Sequence, residues 1–213
     1  MIRRNRLVKI LGGQIIMLKK QMETYISKTL KGNTIELYTE EKEYAIKHQL
    51  FADDITIVEK ENTTRFTDAY IELSNKETEE LIKEESAAFL SQPIEYLKTN
   101  KNEFLYFESS WFDIIGVEAL SLEVDDVFGT YNAMFGLRFQ KKMGNALKAY
   151  FNNEVQGDIG TFSMMFNPGD GLWDINFALN GVKGFKEEMS LNQAFNLIYH
   201  FLFNLNETIE EEQ

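Results

Sequence analysis

Two histidines, a few clustered aspartates and one glycine-rich loop are the residues whose types could carry chemistry here. The 213 residues include only two histidines, His48 and His200, and no cysteine. The histidines stand far apart, on segments that both read as helices, and neither has a metal-binding spacing such as two histidines four apart. No nucleophile pattern accompanies His200 to make a triad, so both rings are expected to be structural. The loop Asn167-Pro168-Gly169-Asp170-Gly171, with Asp174 just beyond, invites a calcium reading, but glycines fill the places where alternate oxygen ligands are needed. A hairpin turn is the better expectation. Asp125-Asp126 follows a strand pattern and precedes Phe128-Gly129, which makes it a turn or, in the sharper reading, a carboxylate pair for acid–base work.

No GxxxxGK phosphate loop, no strand-borne GxGxxG and no GxSxG elbow is present. The sequence therefore assigns no catalytic, cofactor-binding or metal-ligating residue and leans away from an enzyme. A rival reading gathers Asp125, Asp126, Asp170, Asp174 and His200 into one pocket of an enzyme or a small-ligand or metal-binding protein.

Charge narrows the partners. The net charge is −12, yet the first twenty residues carry six basic and no acidic side chains, which leaves 16 basic against 34 acidic in the rest. A body with that field repels phosphate backbones and anionic lipid, so nucleic acid and membrane are not expected. The absence of cysteine fits a cytoplasmic setting, and no run of about 20 apolar residues could span a bilayer. In the basic opening, Ile2, Leu7, Val8, Ile10 and Leu11 interleave with Arg3, Arg4, Arg6 and Lys9 as in a short amphipathic surface helix. The segment lacks the apolar run and cleavage site of an export signal. Residues 1–16 are read as an extension or dispensable arm, with Met17 opening the first convincing helix.

The elements that position these residues follow from periodicity. Leu18, Met22, Tyr25, Ile26 and Leu30 form one helical stripe. TIELY is a strand and EEKEYAIKHQ a short helix. ITIVEKE and RFTDAYIEL are expected to make a hairpin across Asn62-Thr63-Thr64. Ser74-Asn75-Lys76-Glu77 has the capping-box pattern and predicts a helix running towards Pro93. One face of that helix carries Glu77, Glu79, Glu80, Glu84 and Glu85, a solvated face or an acidic docking surface. Three strands are predicted over 103–139, a helix over 141–155, and a hairpin around the Asn167–Gly171 turn. The last helix is capped by Ser190 and Gln193, and its apolar residues leave only Asn192, Asn196, His200 and Asn204 as a polar stripe. A helix apolar nearly all round must be covered on more than one side, by this chain or by a second copy. The acidic tail, 210–213, with Glu210, Glu211 and Glu212 against the helix C-terminus, is expected to fray.

The fold class is therefore α+β, a mainly antiparallel sheet packed by helices, with an N-terminal α+β portion (17–75) and a main domain (76–209). From residue 76 the expected order is helix, three strands, helix, hairpin, helix. That order resembles the type III secretion chaperone family, which implies an acidic, homodimeric domain that holds a partner's unfolded segment. The function expected is non-catalytic protein binding, chaperone-like or neutralising, to a partner that is basic. Tyr199 and Phe203 are the candidate apolar contacts, and Glu77, Glu80 and Glu84 the acidic ones.

Overall fold

Short extended segments rich in apolar and aromatic residues organise the middle of the chain. In the computed structural model, which describes residues 18–158 and 160–212, seven strands form one antiparallel sheet: β3 (Tyr70–Asn75), β4 (Leu81–Glu85), β5 (Glu103–Glu108), β6 (Val117–Val124), β7 (Tyr131–Leu137), β8 (Phe162–Asn167) and β9 (Leu172–Ala178), in the order β4-β3-β5-β6-β7-β9-β8. Successive side chains of a strand point to opposite faces, so the register sorts them into rows. One row reads Ile71, Phe107, Leu120, Phe135, Ile175, Met164, and the next Leu73, Leu105, Leu122, Ala133, Phe177, Phe162. These rows make the packed face.

The helix α5 (Leu191–Glu211) lies on that face, with Phe195 stacked on Phe107 at 4.0 Å and Phe201 on Phe177 at 5.1 Å. Burying each such ring is worth about 1.5–3 kcal/mol relative to exposure. The expected capping box is formed in full: the Gln193 amide donates to Ser190 Oγ, and Ser190 N–H donates to Gln193 Oε1. Beside α5 runs α4 (Gly144–Glu154), whose Tyr150 hydroxyl donates to the Phe201 carbonyl at 2.9 Å. The one-turn α3 (Tyr96–Thr99) buries Leu97.

The far side of α5 is covered by the N-terminal portion of this same chain. There α1 (Leu18–Thr29) buries Leu18, Met22 and Ile26, while β1 (Thr34–Leu37) and β2 (Thr56–Glu59) pair in parallel through the crossover helix α2 (Thr39–Lys47). The apolar residues of this layer join those of the sheet in one core cluster. The molecule is α+β in three layers, sheet, α5 with α4, then α1–α2. None of the helices among the described residues is long and apolar enough to cross a membrane. The basic segment 1–16, with its expected amphipathic arm, and Met17 lie outside the described residues.

Three expectations are corrected. The helix predicted beyond Ser74 is the hairpin β3–β4: Asn75 Oδ1 accepts the amides of Glu77 and Thr78 at 2.9 and 3.0 Å, and Glu79 adopts φ +56°. The asparagine thus offers the backbone a turn in competition with the helix, and a helix would have set Glu80 against Glu84 one turn on. Secondly, Asn62–Thr64 is a 3-10 turn between the two sheets, because β2 takes β1 as its partner instead of β3. Thirdly, the acidic end does not fray before Glu211. Glu210 accepts the Lys19 amide at the start of α1 and the Tyr44 hydroxyl, and Lys47 pairs with Glu207 and Glu211.

Candidate functional site

The residues singled out from sequence are dispersed. Asp125 Oδ1 accepts the amides of Val127 and Phe128 at 2.9 and 2.7 Å, a turn closed by Gly129 at φ +66°. Asp126 faces Lys76 at 3.5 Å. Asp170 receives the Asn167 amide group in the β8–β9 turn, at the opposite end of the strands, and Asp174 projects from β9 on the face away from α5. His200 lies on the other side of the sheet, so the five do not form a pocket. Tyr199 and Phe203 are buried, at 0 and 1% exposure, which corrects their reading as interaction surface: α2 covers the side of α5 they occupy. Glu77 sits in the β3–β4 turn and Glu80 follows it, while Glu84 stands on the edge strand, where Tyr70 donates to it at 3.0 Å.

The structure assembles instead a buried charge cluster that the sequence did not single out. Arg65 is fully buried and donates from Nη1 to Glu41 Oε1 at 2.6 Å and from Nη2 to Glu40 Oε2 at 2.5 Å. Its guanidinium lies 4.3 Å from the Tyr38 ring, 4.1 Å from Tyr199 and 5.1 Å from Trp111, a cation held against aromatic faces. The Tyr199 hydroxyl donates to Glu41 Oε1 at 2.5 Å, and His200 Nδ1 meets Glu40 Oε1 at 3.2 Å. Glu40 and Glu41 occupy the first turn of α2, where the helix dipole favours negative charge. The cluster clamps α2 to α5.

The two carboxylates are tuned apart. Burial pushes the Glu41 carboxyl up, against the pull of Arg65. Burial acts the same way on Glu40, but the His200 hydrogen bond and Arg65 outweigh it and hold that carboxyl below its ordinary value. The hydrogen bond to Glu40 raises His200, burial opposing it and the charges of Glu40 and Glu43 adding to it. A raised imidazole contributes stability in full below its ordinary value of 6.5 and loses it as the pH climbs through the higher folded value. The native chain is expected to lose thermal midpoint as the pH climbs above about 6.5, and in His200→Gln that decline should flatten; an unchanged profile would remove His200 from the clamp.

Two clefts flank the cluster. One, of about 480 Å³, is lined by Glu40, His200, Gln193 and Asn196, and the other, of about 470 Å³, by Arg65, Trp111, Tyr25 and Tyr38. Burial drives the Tyr25 hydroxyl up to about 12, with Glu41 adding to the effect.

The face of the sheet turned away from α5 carries a different chemistry. Its central row crosses all seven strands as Glu84, Glu72, Tyr106, Ser121, Met134, Asn176 and Ser163. Around it stand Tyr70, Phe104, Glu108, Glu123 and Asp174, with Tyr106 donating to Glu108 at 2.5 Å. At one end the β6–β7 turn holds Val127 and Phe128 out at 82 and 77% exposure beside Asp125 and Asp126. No family model matches the chain, and neither does any curated protein or solved structure. The functional reading therefore rests on the chemistry of this face, an acidic lattice set with aromatic and methionine side chains. Its extended pattern was legible in EFLYFES, but which side of the strand faced away from the core depended on where α5 packed.

Proposed function

We propose that this chain is a non-catalytic, cytoplasmic, chaperone-like binding protein that holds a basic protein partner against the face of its sheet turned away from α5. The observation that carries the reading is the composition of that face: aromatic and methionine side chains among Glu72, Glu84, Glu108, Glu123 and Asp174, in a chain of net charge −12. Acids steer a basic chain to the surface and select against acidic ones, while exposed rings supply the anchors that dominate interface energies. Phe128, held out by a pinned turn, is the foremost anchor. A homodimer was also expected, but two copies meeting through this face would set acids against acids, so a basic chain is the better occupant.

Affinity purification from the protein's own cells, repeated with Phe128→Ser and with the pair Glu84→Lys and Glu108→Lys, tests the proposal. The co-purifying polypeptide is expected to be basic, to be lost from both variants while their thermal midpoints stay near that of the native chain, and to be released as salt rises well above about 0.1 M. A partner retained by both variants, or an acidic one, sinks the reading.

The cleft of about 470 Å³ beside Trp111 favours a second reading, a small-ligand site, since it falls within the ordinary range of such pockets. A metabolite that raises the thermal midpoint in the native chain and not in Trp111→Ala would support it.

A further inference from the structure

We propose that His48, Glu207 and Glu211 form a binding site for a divalent transition-metal ion, of the class zinc represents. His48 caps the C-terminus of α2, its amide donating to the Tyr44 carbonyl at 3.0 Å, and its ring lies on that of Tyr44 with centroids 4.1 Å apart. Tyr44 is itself tied to Glu210, so packing fixes the direction of the imidazole. Glu207 and Glu211 are four residues apart on the last turn of α5 and project to the same side. One ligand atom from each of the three lies within 4.8 Å of the others. Two donors on one zinc ion are at most about 4.2 Å apart, twice the metal–ligand distance, so a small rotamer change closes the set.

The independent pointer to an ion is His48 Nε2. That nitrogen is occluded and has no hydrogen-bond partner among the described residues. It faces Glu207 Oε1 at 3.8 Å, too far for a hydrogen bond but within the spacing of two ligands on a common metal. Occluded polar atoms are nearly always paired. The end of α5 adds the field: Glu207, Glu210, Glu211 and Glu212 crowd the negative pole of the helix dipole, where a cation is favoured. Lys47 answers part of that demand, its Nζ standing 2.7 Å from Glu207 and 2.5 Å from Glu211. A salt bridge alone explains Lys47 and both carboxylates, but it leaves Nε2 unused. A metal ion uses all three donors and releases Lys47, already about half exposed, to solvent. One imidazole with two carboxylates suits zinc and its neighbours better than magnesium, which prefers oxygen alone.

Calorimetric titration of the whole chain with Zn²⁺, with Mg²⁺ in parallel, tests the site. One equivalent of Zn²⁺ is expected to bind and Mg²⁺ not to compete. His48→Ala and Glu211→Gln should each weaken Zn²⁺ binding by at least about tenfold, the cost of losing even a supporting partner of a metal ligand, and His200→Ala should not. Lys47→Ala should tighten binding, because the competing ammonium is gone. Glu211 is half exposed, so its variant reports on the metal even if His48→Ala folds poorly. The proposal is overturned if millimolar Zn²⁺ gives no binding, if Glu211→Gln binds as the native chain does, or if Lys47→Ala leaves the affinity unchanged.

Discussion

Arg65→Ala is expected to lower the stability of the chain by about 3–5 kcal/mol, read from urea unfolding, although Arg65 is buried and lies on the far side of α5 from the sheet. The cost comes mostly from what is left behind. Glu40 and Glu41 keep their buried positions but lose the guanidinium between them, and the rings of Tyr38, Tyr199 and Trp111 lose the cation they enclose. Replacing the whole set, Arg65→Met with Glu40→Gln and Glu41→Gln, is expected to recover much of the loss, since no uncompensated charge remains and the side-chain amide introduced by Glu41→Gln still offers Tyr199 an acceptor. The pH dependence has a definite sign. Burial already raises Glu41, and without Arg65 its folded value rises further above the unfolded one. Such a group penalises the folded state above its folded pKa and ceases to do so as the pH falls towards the ordinary 4.5. The Arg65→Ala variant should therefore regain stability relative to the native chain on mild acidification. A loss under about 1 kcal/mol at neutral pH would mean that the three charges are hydrated and not clamped.

The elements that read correctly from sequence are those whose signals are local and unopposed. Ser190 and Gln193 announced the start of α5 through side-chain bonds spanning three residues, and the cluster Asn167–Gly171 announced its turn through backbone requirements such as the φ of +70° at Gly171. Ser74 and Glu77 gave a signal of the same form and misled, because Asn75 competes for the same amides and because β5 offers Ser74 a ladder partner in Phe104. That pairing is invisible until the sheet exists. The charge cluster was illegible for a related reason. Glu40 and Glu41 read as helix-start acids, which they are, but their burial depends on Arg65, 24 and 25 positions on, and on Tyr199, 158 positions from Glu41. The apolar circumference of α5 correctly demanded a second cover; periodicity could not say that the cover was α1 and α2.

That last distinction makes the second prediction, Phe203→Asp, the sharper one. If the far side of α5 were an interface, the variant would fold and lose a partner; with α2 in place, it is expected to lose its cooperative unfolding transition. Phe203 is 1% exposed and packs edge-on to Tyr44 at 5.8 Å and beside Tyr199 at 6.0 Å. Deleting a buried phenylalanine side chain costs about 3–5 kcal/mol. The new carboxylate then adds a desolvation cost, and Arg65 is already engaged by Glu40 and Glu41. Together these approach the whole stability of a typical domain, about 5–15 kcal/mol. Phe128→Ser supplies the contrast, for that ring is 77% exposed at the tip of the β6–β7 turn and its removal should leave the thermal midpoint in place. Circular dichroism melts of the two variants separate the alternatives directly. A folded Phe203→Asp would reopen α5 as an interface, whereas a destabilised Phe128→Ser would make the tip part of the core and take the proposed anchor away from the partner.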